Sequence, residues 1–209
     1  MTQWQSGWDV NTASGTDYAA MVECMESGIV RVLNTIEAAG QRDNTLVKFL
    51  YDHGGRHLVD SRTFFHGFGT VWEGRIRVPL ILRWPGLALA DTTIDQPAIA
   101  MDVCATILEA SHLAQGHIDA TDSLCLRPFL DGTSSVEEHA FFWRTDYPNF
   151  LPQRAVGQGD FKYLQDGQTQ FLFNLSNDPG ERENLLGRYP DLVNQLRSAH
   201  AAWAATMPE

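Results

Sequence analysis

The chain has 209 residues, 44% of them hydrophobic and 20% charged, a composition that excludes a disordered polymer and is ample for one large or two small folded units. Its formal net charge is -11, with 15 lysines and arginines scattered along the sequence, which excludes a basic footprint for nucleic acid or an anionic membrane surface. Cys24, Cys104 and Cys125 form no CxxC pair, so they suggest neither a disulfide framework nor a thiolate zinc site and read as small core residues.

At the N-terminus, "MTQWQSGWDV" lacks the charged-then-apolar order of a signal peptide, and no apolar run approaches the roughly 18 residues of a spanning helix. As written, the chain reads as soluble and unexported, with its compartment left open. In "DYAAMVECMESGIVRVLNTIEAAG", Tyr18, Met21, Val22, Met25, Ile29, Val32, Leu33 and Ile36 recur at three- and four-residue steps and predict a helix with one apolar stripe. Thr16 or Asp17 suits its start and Gly40 its end. "TLVKFLY" (45–51) reads as a largely buried strand with Lys48 as its one polar interruption. Helix, short turn, strand is the second half of a βαβ unit and predicts a parallel sheet.

A long, glycine-bearing polar loop leads to a second strand, "VPLILRW" (78–84), which ends at Pro85-Gly86. Loops of that length inside a compact fold are usually functional. "MDVCATILEASHL" (101–113) predicts a helix that packs Val103, Ile107 and Leu108 on one side. After "LDGTSS" the texture changes to short alternating runs, "AFFWRT", "QRAVGQ", "FKYLQ" and "QFLFNL", separated by turn residues, which predict an antiparallel sheet. Tyr189-Pro190-Asp191 then opens a terminal helix with Leu192, Leu196, Ala199 and Trp203 on one face. The fold class is α/β, a partial parallel or mixed sheet with covering helices over residues 1–133, followed by a small α+β unit over 134–209.

Asp52 and His53, in "LYDHGGRH", stand just past the carboxyl end of the first strand, where open α/β sheets bind ligands. A hard carboxylate and an imidazole nitrogen beside Gly54 and Gly55, which allow close backbone approach, are chemically suited to a divalent cation. A solvated polar turn is the plainer reading of the same four letters. His57 and His66 read as solvated loop histidines, and Trp72 with Glu73 as structural: a packed ring and a carboxylate that ties the loop down. In "AFFWRTDYPNF" the aromatics read as core.

Taken together and in order, "DNTLVKFLYDHGG", "HGFGTVWEGRIRVPLILRWPG", "AVGQGDFKYL" and "FLFNLSNDPGERENL" resemble the second half of the sulfatases, within the alkaline-phosphatase-like superfamily. The likeness runs from the first helix to the last, with about the first 15 residues looking foreign. It implies that Asp52 and His53 ligate the active-site divalent cation, usually calcium, as one half of the site. The other two metal-binding aspartates of the family lie in a first half that has no counterpart here.

The nucleophile has no counterpart either. Sulfatases use a formylglycine made from a cysteine or serine with a small residue or proline two places on and an arginine four places on, whereas Cys24, Cys104 and Cys125 are followed by "MESG", "ATIL" and "LRPF". The family's sulfate-contacting lysine is replaced by Phe68, which donates no hydrogen bond and carries no charge. Arg75 and Arg77 nearby read as surface or salt-bridged.

The resemblance thus implies a sulfuric ester hydrolase, arylsulfatase-like, represented by its C-terminal half and inactive alone. A sulfate-ester small molecule or glycan is its implied partner once an N-terminal half completes it, with self-association through exposed sheet edges when it stands alone. The alternatives are a metal-dependent phosphodiesterase or phosphonate hydrolase of the same superfamily, which the nitrogen ligand His53 favours through manganese or zinc, and a non-catalytic remnant or binding module.

Overall fold

A computed structural model of the chain describes residues 14–54, 64, 69–112, 123–146 and 151–207. Helix α1 (Gly15–Ala38) is capped by Ser14, whose hydroxyl accepts from the Asp17 amide while the Asp17 carboxylate accepts from the Ser14 amide. The cap therefore falls two residues before Thr16, with Asp17 as its reciprocal partner rather than the cap itself. Gly40, at φ 67°, closes the end in the left-handed turn expected of it. The stripe Tyr18, Val22, Ile29, Leu33 and Ile36 is only half-buried, and no residue of α1 is fully buried.

Strands β1 (Val47–Leu50) and β2 (Leu80–Arg83) pair antiparallel, Val47 opposite Arg83 and Leu50 opposite Leu80. The mixed α/β class holds, but the parallel pairing expected of these strands does not. A parallel partner needs a crossover running back along the sheet, usually on a helix; here the connection holds only the four-residue turn α2 (Glu73–Ile76) among the described residues. The strands are half-buried rather than buried. Leu80 and Leu82 point into a core with Val103, Leu126, Phe129 and Leu130, while Ile81 on the other face is 61% exposed.

That core joins β2 to α3 (Ala100–Ala110) and α4 (Arg127–Leu130). The buried face of α3 differs from the expected one. Val103 is buried with Asp102, Ala105 and Thr106, whereas Ile107 and Leu108 are exposed. Polar bonding turns the helix: Asp102 accepts from the amides of Ile99 and Leu124, and Thr106 accepts from the Leu126 amide. Once satisfied in this way, buried polar groups cost little, and they staple the 124–126 segment to the helix.

The predicted antiparallel sheet is present as β3 (Ala140–Thr145), β4 (Gln153–Gln158), β5 (Phe161–Asp166) and β6 (Thr169–Asn174), paired in chain order. One face, through Val156, Tyr163 and Leu172, packs on Val193 and Leu196 of α5 (Pro190–Thr206). The opposite face, through Ala155, Leu164 and Phe173, packs on Val71 and Trp72 from the loop ahead of α2. Cys24 and Cys104 are exposed and Cys125 is half-buried, correcting their reading as core residues: Cys24 lies off the half-buried stripe of α1, and Cys104 lies on the outward face of α3.

Candidate metal loop and its anchorage

Past the end of β1 the chain turns at Asp52, His53 and Gly54. The Asp52 side chain is 87% exposed and that of His53 28%, with His53 Nε2 at 3.7 Å from Asp52 Oδ2. His53 Nδ1 lies 2.7 Å from the Gly54 carbonyl oxygen, which only accepts, so the ring proton belongs on Nδ1. In the neutral ring that leaves the lone pair on Nε2, the nitrogen that faces the carboxylate. A carboxylate oxygen and an imidazole nitrogen so disposed fit two positions of one cation's coordination shell. Among the described residues no group of three or more His, Cys, Asp or Glu side chains is placed to hold a metal ion.

Gly54 is required by space. A Cβ on it would stand 2.0 Å from the Gly74 carbonyl oxygen, so no other residue allows the loop to lie this close to α2. The Gly54 amide also donates to the Arg75 carbonyl at 2.7 Å. The geometry of the Asp52–His53 pair is therefore set by the turn 73–76.

That turn is held in its place by the four-stranded sheet. Lys162, 0% exposed on β5, sets its ammonium 2.8 Å from Glu73 Oε1 and 2.8 Å from Glu181 Oε1. Glu181 Oε2 accepts from the Glu73 amide at 2.7 Å. Two carboxylates thus share one buried ammonium, and burial raises the Glu181 carboxyl above its ordinary value, with the Lys162 charge opposing. Glu181 has φ 55°, a left-handed backbone that a β-carbon disfavours; its two anchored oxygens hold it there. The Val71 amide donates to Gln153 Oε1 at 2.8 Å, and the Trp72 indole donates to Asp166 at 3.1 Å. Trp72 and Glu73 thus have the structural roles expected of them.

Sequence reasoning missed Lys162, Gln153 and Glu181. Their signal was faint: a lysine inside an alternating strand, where a buried position falls. Arg77 is exposed, 3.8 Å from Glu73 Oε2 and 5.5 Å over the Phe64 ring, and Arg75 is half-buried. Phe68, His57 and His66 lie outside the described residues, as do Tyr147 to Phe150 of the aromatic run. No described helix is long and apolar enough to cross a membrane.

Residues 3–113 match the family model described as Sulfatase. The chain belongs to the sulfatase family. Because the match begins at residue 3, the opening residues expected to be foreign largely fall within it. Over 218 residues the chain is 28% identical to a sulfatase of Formosa agariphila, covering 90% of this chain and 39% of that protein. Over 212 residues it is 31% identical to human arylsulfatase D, covering 80% of this chain and 35% of that one. The chain therefore spans little more than a third of the curated relatives. The crystal structure of Ps i-CgsB in complex with k-i-k-neocarrahexaose superposes with a TM-score of 0.83 at 22% identity, over 93% of this chain and 44% of that one. At that identity the likeness establishes the fold, and the partial coverage is consistent with the C-terminal portion expected from the sequence.

Proposed function

We propose that this polypeptide supplies the Asp52–His53 half of the cation site of a sulfuric ester hydrolase of arylsulfatase type, and that the nucleophile and remaining ligands come from polypeptide outside these 209 residues. The observation that carries the reading is the pairing of His53 Nε2 with the Asp52 carboxylate on a loop that only glycine lets dock against Gly74. The missing formylglycine motif and the partial coverage of relatives support the second clause. A divalent cation held there by Asp52 and His53 would supply positive charge to offset that of the sulfate oxygens. Asp52 gives it a hard anionic oxygen, and His53 a nitrogen whose direction the Gly54 carbonyl sets. The oxygen ligand fits the family's usual calcium.

We read residues 1–133 as the hydrolase-domain portion and 134–209 as a separate unit, latched to it by Lys162. The exposed apolar side chains Met21, Met25, Val32 and Ile81 and the edges of the two-stranded sheet support self-association when the chain stands alone. A sulfate ester on a small molecule or glycan is the substrate of the completed site.

The test is co-expression with a sulfatase first half carrying the cysteine motif. Aryl sulfate turnover is expected only in the complemented sample, only with divalent cation, and is lost on Asp52→Ala. A phosphonate ester run in parallel separates the sibling activity. Turnover by the chain alone, or complemented turnover indifferent to Asp52→Ala, overturns the proposal.

A further inference from the structure

Arg83, the last residue of β2, brings a cation into the sheet that no described residue satisfies. Its side chain is half-buried, yet Nε and Nη2 are shielded from solvent and neither has a hydrogen-bond partner among the described residues. A guanidinium keeps its charge and only donates, so N–H groups held away from water without an acceptor are costly. Lys162 shows the contrast, since that buried ammonium meets two carboxylates of its own chain. Nε and Nη2 lie side by side on one edge of the guanidinium with parallel N–H bonds, the fork that takes a carboxylate or another oxyanion through two hydrogen bonds.

Position decides between a substrate anion and a protein side chain. Because β2 runs antiparallel to β1, Arg83 stands opposite Val47, five residues before Asp52. At about 3.3 Å per residue the two ends of the sheet are roughly 17 Å apart, so Arg83 is too far from the Asp52–His53 loop to touch a sulfate held there. Alternation places Arg83 on one face with Ile81, Val47 and Phe49. On that face Ile81 is 61% exposed, whereas Leu80 and Leu82 on the other are packed on the core of α3 and α4. The outer edges of both strands are unpaired among the described residues. An apolar face with an unsatisfied fork is complementary to a polypeptide surface that brings apolar side chains and one acid. Polypeptide beyond these 209 residues makes up more than half of the curated relatives.

We infer that the Ile81–Arg83 face of the two-stranded sheet is the docking surface for the first half of the sulfatase fold, and that an aspartate or glutamate of that half closes the Arg83 fork. This docking rests on the sulfatase reading of the Asp52–His53 loop and adds to it the place where the completing polypeptide sits and the charge it must carry there.

The test mixes the full chain with a separately expressed sulfatase first half carrying the cysteine motif, and reads affinity by calorimetry beside the melting temperature of the chain alone. Arg83→Met should raise the melting temperature of the isolated chain by a few degrees, because apolar volume replaces a buried charge without a partner. The same variant should bind the first half about thirtyfold more weakly or worse. Arg83→Lys keeps the charge but loses the fork, and its affinity should fall between. Arg83→Glu should abolish the complex, which returns when one aspartate or glutamate of the first half is changed to arginine. Wild-type affinity of Arg83→Met, a lowered melting temperature of that variant alone, absence of any restoring acid, or failure of the wild-type chain to associate would each overturn the docking. Two other occupants of the fork would also overturn it: a small anion, seen as sulfate stabilising the wild type but not Arg83→Met while the complex ignores the substitution, and a second copy, seen as a homodimer that Arg83→Met dissolves. Failure of the sulfatase reading shows separately, as aryl sulfate turnover indifferent to Asp52→Ala in a complex that still depends on Arg83.

Discussion

The candidate metal-loop region and the C-terminal sheet are built to different standards of burial. Around the sheet, Val156, Leu164, Leu172, Leu196 and Lys162 are all 0% exposed, and both faces of the sheet are packed. Around the loop, α1 buries nothing fully, β1 and β2 make a sheet of two strands, and Val32 is 60% exposed. An isolated two-stranded sheet is marginal in water. The part of the chain that carries the candidate chemistry is therefore the part least able to hold itself, and it borrows its order from the other through Val71, Trp72 and Glu73.

Breaking the latch tests that dependence most severely. Lys162→Met leaves Glu73 and Glu181 buried without their cation and should cost roughly 3–5 kcal/mol, read from urea unfolding, with loss of amide protection at Gly54. If Gly54 keeps its protection, the loop does not depend on the sheet. Leu196→Ala, between α5 and the sheet, should cost about 2–5 kcal/mol, whereas Val32→Ala on α1 should change stability by no more than about 0.5 kcal/mol. Comparable costs for the two would erase the contrast.

Gly54→Ala sharpens the comparison locally. The clash with the Gly74 carbonyl displaces the loop, so Mn²⁺-induced broadening of the His53 ring signals should weaken severalfold while the α5 core melts as before. Unchanged broadening would show that the pair does not need its dock.

Two titrations should oppose one another. Burial lowers His200, on α5, below its ordinary value, so the folded state resists its protonation: its contribution is full above about pH 6.5 and is lost as pH falls below that. Burial raises Glu181, so its contribution is full below about pH 4.3 and is lost as pH rises through the raised value. Urea midpoints across pH 4 to 8 should show His200→Gln removing the decline on acidification below about 6.5, and Glu181→Gln removing the decline on the rising side. The smallest effect is hydrodynamic. The 23.4 kDa chain should elute as more than a monomer; a monodisperse monomer with one cooperative melt would argue against the exposed α1 face as an association surface.

Local pattern was enough for the helices with repeating apolar steps and for the four alternating strands, because periodicities of 3.6 and 2 are properties of consecutive residues. The Asp52–His53 position was legible in the same way, as a polar break at a strand end followed by glycines. Strand direction between β1 and β2, the rotation of α3 onto Asp102 and Thr106, and the exposure of Cys24 and Cys104 were not legible, since each depends on what a distant segment packs against. The same holds for Lys162. A buried ammonium is tolerable only when carboxylates from two remote segments converge on it, and that convergence, which orders the loop bearing Asp52 and His53, exists only in the folded chain.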